Sequence, residues 1–380
     1  MRLRARHYQT AQLLDFICAR GHIAHIELPI QQPADIEAEW IAPAFCDVQI
    51  NGCDGISFNS ETLTLDQIRH VISVCNKHGI AQLCPTLVTA SHDALVHGFR
   101  TLRQACEQVA ELARAIVGIH LEGPYIAAED GPRGAHPKQH VRPTDWSEFC
   151  RFQDAAGGKI RMVTVAPETV GAIAFIAKAA QAGVVVALGH TGASGACIRE
   201  AIKAGARIST HLGNGSHALL PRHDNYIWEQ LAADGLWASM IADGHHLPET
   251  VMRCILRVKT PARSILTCDA SPLAGSPVGK YRQWEHEFEV LPTGKIVVAG
   301  TPYLAGSWAF TDLCVRNVVK LGETSLADTI NLASNRPREL LGLPPRRLEV
   351  GEPAELILFD CGPEREFVLR QTIVGDRTIV

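Results

Sequence analysis

The stretch IVGIHLEGP, residues 116–124, is a short apolar run that delivers a carboxylate, Glu122, directly into a glycine–proline turn. Three further runs end the same way: 184–188 leads to His190, 206–210 to His211 and 264–268 to Asp269. All four read as β-strands bounded by helical or glycine-rich sequence. One such ending means little. Four, at the spacing of repeated βα units, are what a barrel of parallel strands needs to gather one metal site at its C-terminal rim.

Working outward from these runs, eight strand-like segments are found: 45–50, 80–87, 116–121, 160–165, 184–188, 206–210, 236–241 and 264–268. Helical patterns lie between most of them. The clearest is 64–78, where Thr64 can cap, Ile68, Val71, Ile72 and Cys75 share a face, and Gly79 stops the helix. Residues 91–114 and 194–204 repeat the pattern, the latter closing at Gly205. Alternating β and α elements imply parallel strands with right-handed crossovers. Eight strands favour closure, so the expected fold is α/β, a (β/α)8 TIM-like barrel spanning 45–344. The flanks differ. Residues 1–44 carry β-like pieces at 22–28 and 40–42, and residues 345–380 carry others at 348–350, 355–359 and 366–374, around turns at 351–353 and 362–363. These flanks are expected to pair into a small β-sandwich domain beside the barrel.

Composition narrows the function. A chain of 380 residues with 46% hydrophobic and 20% charged residues can bury a large core. A formal net charge of −4 offers no basic footprint for nucleic acid. No run of about 18 apolar residues suggests a membrane span. The N-terminal MRLRARHYQTAQLLDF is basic but has no apolar h-region or cleavage site. The 12 cysteines are scattered without a CxxC pair and read as reduced core residues. A cytoplasmic protein is expected.

Catalytic zinc takes imidazole nitrogens and carboxylate oxygens and leaves one position for water. Glu122, His190 and His211 are such a set. A water acidified by the metal still requires a base and, for the leaving group, an acid. Asp269, at the end of the eighth run, can serve as both. A lone histidine is more often a satisfied loop residue, and His70, His97 and His286 are read that way. Co-location at strand ends reverses that reading for His190 and His211. On the first strand, Gln49 and Asn51 stand where hydrolases on this kind of barrel often have His-x-His. Amides bind zinc far more weakly than imidazole, so one metal is expected, with Gln49 and Asn51 as vestigial second-metal positions if the family resemblance set out next holds. The ordinary alternative is that both hydrogen-bond only within their strand and its turn.

The motifs DVQINGCDG, HLEGPYI, RGAH, LGHTGAS, THLGNGSH, IADGHHLP, TCDASPLAG and LAGS resemble, in order and approximate spacing, those of the N-acetylglucosamine-6-phosphate deacetylases of the amidohydrolase superfamily. GEPAELILFD is similar to that superfamily's C-terminal strand, and the resemblance covers residues 40–375. It implies a zinc enzyme, with Fe2+, Co2+ or Mn2+ as other metals the ligands accept. Glu122, His190 and His211 would be ligands and Asp269 the general base, then acid. His246 would contact the substrate, while His136, Asn214 and Gly215 would line the sugar site. The Asn214–Gly215 pair also reads simply as a tight turn.

The segment after THL departs from that pattern. Where those enzymes continue with methionine and an arginine–glutamate–proline–glycine stretch, this chain reads GNGSHALLPRHDNYIWEQL. An arginine of this region holds the sugar phosphate in the family, often across a dimer interface, so Arg222 is the counterpart and a homodimer is expected. Asp224 beside it would repel a phosphate unless turned away. The expected activity is release of acetate from N-acetylglucosamine 6-phosphate. Two alternatives remain: hydrolysis of an unphosphorylated N-acetyl sugar or other N-acyl amine, and a non-catalytic barrel scaffold.

Overall fold

The structure, a computed structural model, describes residues 1–362 and 364–379; Pro363, half of the turn expected at 362–363, and Val380 lie outside the described residues. Eight parallel strands follow one another in chain order around the sheet: Phe45–Ile50, Ile80–Val88, Ile119–Glu122, Ile160–Val165, Val185–Leu188, Ala206–Ser209, Trp237–Met240 and Ser264–Leu266. The seam between the first and eighth is joined by a bridge from Ile50 to Ala270. Beneath it lies the buried carboxylate of Asp47. It accepts hydrogen bonds from Thr267 Oγ1 at 2.5 Å, the Cys268 backbone N–H at 2.8 Å and Thr311 Oγ1 at 2.6 Å. The strand that bears Gln49 and Asn51 is thereby locked to the one that leads to Asp269. Val48, Cys84, Met162, Ile208, Trp237 and Ile265, each from a different strand, fill the barrel interior as one cluster.

Helices form where the sequence pattern required. Leu65–Lys77 opens with a capping box, Thr64 Oγ1 accepting from the Gln67 N–H while Gln67 Oε1 accepts from the Thr64 N–H. Ile68, Val71, Ile72 and Cys75 are its buried face. Gly79 follows at φ +79, and a Cβ there would meet the Phe45 ring at 2.9 Å, so glycine ends the helix and lets the chain enter the second strand. The single helix expected over 91–114 is two, His92–Gln108 and Ala110–Ala115, broken where the β-branched Val109 turns extended (φ −128, ψ 104). The third strand therefore starts at Ile119 rather than 116.

The flanks meet in one seven-stranded sheet, in the order Arg377–Ile379, Phe367–Val374, Glu355–Cys361, Ile36–Pro43, Arg2–His7, Leu13–Ala19, His22–Glu27. The expected piece at 348–350 is not a strand; Val350 is exposed beside the turn. Two unexpected strands, Arg2–His7 and Leu13–Ala19, pair at the N-terminus. Leu3 and Ala5 point inward while Arg2 and Arg4 bind the buried Asp15 at 2.7–2.9 Å. Hydrogen bonds from Arg4, then Arg2, overcome the cost of burial and hold the Asp15 carboxyl at about 2. A depressed carboxylate stabilises the fold above its unfolded pKa of about 4 and loses that contribution as pH falls through its folded value. Asp15→Asn is therefore expected to cost about 2 kcal/mol at neutral pH. In parallel denaturation series, the difference from the parent should vanish near pH 2.

A further antiparallel sheet had no counterpart in the sequence reading. Gly279–Gln283, His286–Val290, Lys295–Val298 and Leu304–Ser307 pair in order between the eighth barrel strand and the helix Thr311–Leu321. Leu273, Phe288, Val290, Ile296 and Ala305 pack with Ala135 as its core. This sheet builds one wall of the site described below. Among the described residues no helix is long and apolar enough to cross a membrane, and all 12 cysteines are unpaired thiols.

Candidate active site

Three of the four residues that end the strand runs have left-handed backbones: His190 (φ 51), His211 (φ 29) and Asp269 (φ 50). Such conformations are uncommon for side-chain-bearing residues and concentrate at functional sites. The fourth, Glu122, is the last residue of its strand and is buried. All four line a cavity of about 230 Å3, together with Asn51, His136, Asn214, Gly215 and His246.

Glu122 Oε1 is the point of convergence. His190 Nε2 and His211 Nε2 each lie 3.1 Å from it. Burial alone would raise the Glu122 carboxyl, but the two histidines hold it well below the ordinary range. His190 Nδ1 lies 2.8 Å from the Pro132 carbonyl, an acceptor only, so Nδ1 carries a proton, and Nε2 either bears a second proton towards Glu122 or is bare. A bare nitrogen facing a carboxylate oxygen requires a proton or a cation between them. A carbonyl behind the far nitrogen is also how metal-ligating histidines are held. The donor set thus fits a divalent ion. His136 is brought to this set as well: Glu122, His136 and His190 each offer a ligand atom within 4.8 Å of the others. Its Nδ1 sits 2.8 Å from Thr89 Oγ1, and burial pushes its basicity well down. Gly215 does more than turn the chain. At φ +56, a Cβ there would press on His190 Nδ1 at 2.8 Å.

Gln49 and Asn51 reach beyond their own strand. Gln49 Nε2 donates to Glu122 Oε1 at 2.8 Å and to Asp269 Oδ1 at 3.2 Å, and Asn51 Nδ2 donates to Asp269 Oδ1 at 2.7 Å. Neutral N–H donors thus join the two carboxylates. Burial, then the charge of Glu122, pushes the Asp269 carboxyl up. A nearby divalent cation acts in the opposite direction and favours the ionised form.

His246 lines the cavity with Nδ1 bound to Asp243 Oδ2 at 2.8 Å. Asp243, three residues earlier in IADGHH, was not singled out in the sequence, although the motif contains it. Trp284 and Tyr303, in the connections of the inserted sheet, also line the cavity, and no motif announced them; Leu304, which lines it too, opens the LAGS motif. Trp284 is pinned through Nε1 to Ser57 Oγ at 3.1 Å. Arg222 is not brought in: it is exposed, and its backbone carbonyl accepts from Trp228 Nε1. Among the described residues no lysine or arginine lines the cavity.

Comparison with known proteins agrees with this geometry. The model of the amidohydrolase family matches residues 40–378. The chain is 33% identical over 342 residues to the N-acetylglucosamine-6-phosphate deacetylase of Danio rerio, covering 86% of this chain and 82% of that protein. It is 30% identical over 351 residues to an N-acetylgalactosamine-6-phosphate deacetylase of Escherichia coli, covering 90% of each. A mutant N-acetyl-D-glucosamine-6-phosphate deacetylase of Mycobacterium smegmatis, solved in complex with N-acetyl-D-glucosamine-6-phosphate, superposes with a TM-score of 0.89 at 30% identity, covering 100% of this chain and 99% of that one. The strand-end residues, the barrel that gathers them and these similarities agree: the chain belongs to the amidohydrolase family.

Proposed function

We propose that this chain is a metal-dependent amide hydrolase that removes the acetyl group from N-acetylglucosamine 6-phosphate, yielding glucosamine 6-phosphate and acetate. The observation that carries this reading is the meeting of His190, His211 and Gln49 on one oxygen of Glu122, with Gln49 also reaching Asp269. Glu122, His190 and His211 would hold one divalent ion, zinc first, with iron(II), cobalt(II) and manganese(II) accepted by the same donors. Bound there, the ion would supply Lewis-acid chemistry, polarising the amide carbonyl and acidifying the attacking water.

The chain's own groups handle position and protons. Asn51 and Gln49 hold Asp269 Oδ1, which leaves Oδ2 as the oxygen that takes a proton from the attacking water and gives it to the departing amine. His246 contacts the substrate, and His136, Asn214 and Gly215 border the sugar. The barrel domain, 45–344, carries all of these groups, while 1–44 and 345–380 form the supporting β-domain. We place the enzyme in the cytoplasm as a homodimer.

Arg222 is exposed and does not line the cavity of its own chain, which supports a role across the dimer, where the partner copy's cavity would receive it. Arg222→Ala is then expected to raise KM for the phosphorylated sugar at least 10-fold and leave unphosphorylated N-acetylglucosamine unaffected, as initial-rate kinetics on both would read. That no lysine or arginine among the described residues lines the cavity supports a second reading, in which the substrate is an N-acetyl sugar without phosphate. Removal of the metal tests the reaction class. Dialysis against a chelator should abolish acetate release, and one equivalent of zinc per chain should restore it. Full activity in a metal-free preparation would overturn the proposal.

A further inference from the structure

LAGS, residues 304–307, is the last strand of the inserted sheet, Leu304–Ser307, and runs alongside the chain that bears Asp269. Gly306 permits the approach: at φ +69, a Cβ there would lie 2.9 Å from the Asp269 carbonyl oxygen. Ser307, 1% exposed, donates its backbone N–H to that same carbonyl at 2.8 Å. Its hydroxyl turns the other way and donates to Asp243 Oδ2 at 2.9 Å. Ser307 therefore joins the backbone of Asp269 to the carboxylate behind His246.

Asp243 is saturated with donors. Oδ1 accepts the backbone N–H groups of His245 at 2.8 Å and His246 at 2.9 Å, and Oδ2 takes the Ser307 hydroxyl and His246 Nδ1. An ionised carboxylate only accepts, so the His246 nitrogen facing it must be N–H. In the neutral ring the other nitrogen, Nε2, then carries a lone pair and is the one left for the cavity.

We infer that Asp243 and Ser307 are positioning residues that act through His246, fixing Nε2 as a hydrogen-bond acceptor for a hydroxyl of the sugar. This rests on the reading of His246 as a substrate contact.

The test combines a spectroscopic reading with a mutant cycle on the zinc-loaded protein. In 15N-histidine NMR spectra without substrate, the parent His246 ring should show protonated Nδ1 and bare Nε2, and Asp243→Asn should lose that preference. In kinetics, Asp243→Asn should lower kcat/KM about 10-fold or more, chiefly through KM, with unchanged zinc content. In a His246→Ala background the same change should cost nothing further. Ser307→Ala, which removes a single donor, should follow the same pattern with a smaller loss and stands in if Asp243→Asn does not fold. Equal losses in both backgrounds, or a parent ring protonated at Nε2 alone, would overturn the inference. The NMR arm needs no substrate, so a wrong substrate assignment leaves it able to decide.

Discussion

Asp269→Asn is expected to lower kcat by about 10^3-fold or more while leaving the bound metal at one per chain, because general acid–base transfer contributes about 10^2 to 10^4 and here one group acts in both directions. The substitution preserves shape. Asparagine can turn its oxygen towards the Gln49 and Asn51 amides, which donate to Asp269 Oδ1 in the parent, and place its amide where Oδ2 lies. What it cannot do is accept and return a proton. Steady-state kinetics with metal analysis of the same sample reads both halves. A variant that keeps activity within 10-fold would remove Asp269 from the role of base, and one that loses its metal would make it a ligand. A non-catalytic scaffold would show no change in any readout.

Glu122→Gln should behave in the opposite way. Three groups meet its Oε1, so the replacement keeps the volume but exchanges a charged oxygen for an amide, a much weaker ligand for zinc. Metal content is expected to fall below one per chain after desalting, with acetate release reduced at least 100-fold and partly recovered by excess zinc. Titration with zinc under competition from a chelator reads the affinity directly. The pair of variants separates two ways of losing activity: Asp269→Asn keeps the ion and loses the proton, whereas Glu122→Gln loses the ion first. Recovery of Asp269→Asn by zinc, or unaltered zinc affinity in Glu122→Gln, would break the assignment of roles.

Much of the barrel was legible because its signals are local. A buried parallel strand is a short apolar run, and Glu122, His190, His211 and Asp269 each follow one, so four ligand-type residues could be assigned to one rim before any contact was known. The capping pair Thr64 and Gln67 and the stop at Gly79 likewise sit within a few residues of the helix they bound. The strand Arg2–His7 was missed because Leu3 and Ala5, alternating with arginines, make a period-2 signal only two apolar residues long. The inserted sheet was missed for another reason. Its strands are four or five residues long with mixed burial, and their period is too weak to stand out between the eighth strand and the next helix.

Roles set by side-chain partners far apart in sequence were the least legible. Nothing near Gln49 says that its amide will span Glu122, 73 residues on, and Asp269, 220 residues on. Asp243 lay inside a recognised motif, but its value depends on Ser307, 64 residues away. For Arg222 the sequence offered a position and the fold of one chain leaves it outside the cavity, so its assignment rests on assembly.

The most direct measurement is acetate release by the zinc-loaded protein from N-acetylglucosamine 6-phosphate, N-acetylgalactosamine 6-phosphate and unphosphorylated N-acetylglucosamine, run side by side. Turnover of N-acetylglucosamine 6-phosphate is expected with kcat/KM at least 10-fold above the other two. No acetate from any of the three, with one zinc bound per chain, would contradict the deacetylase assignment.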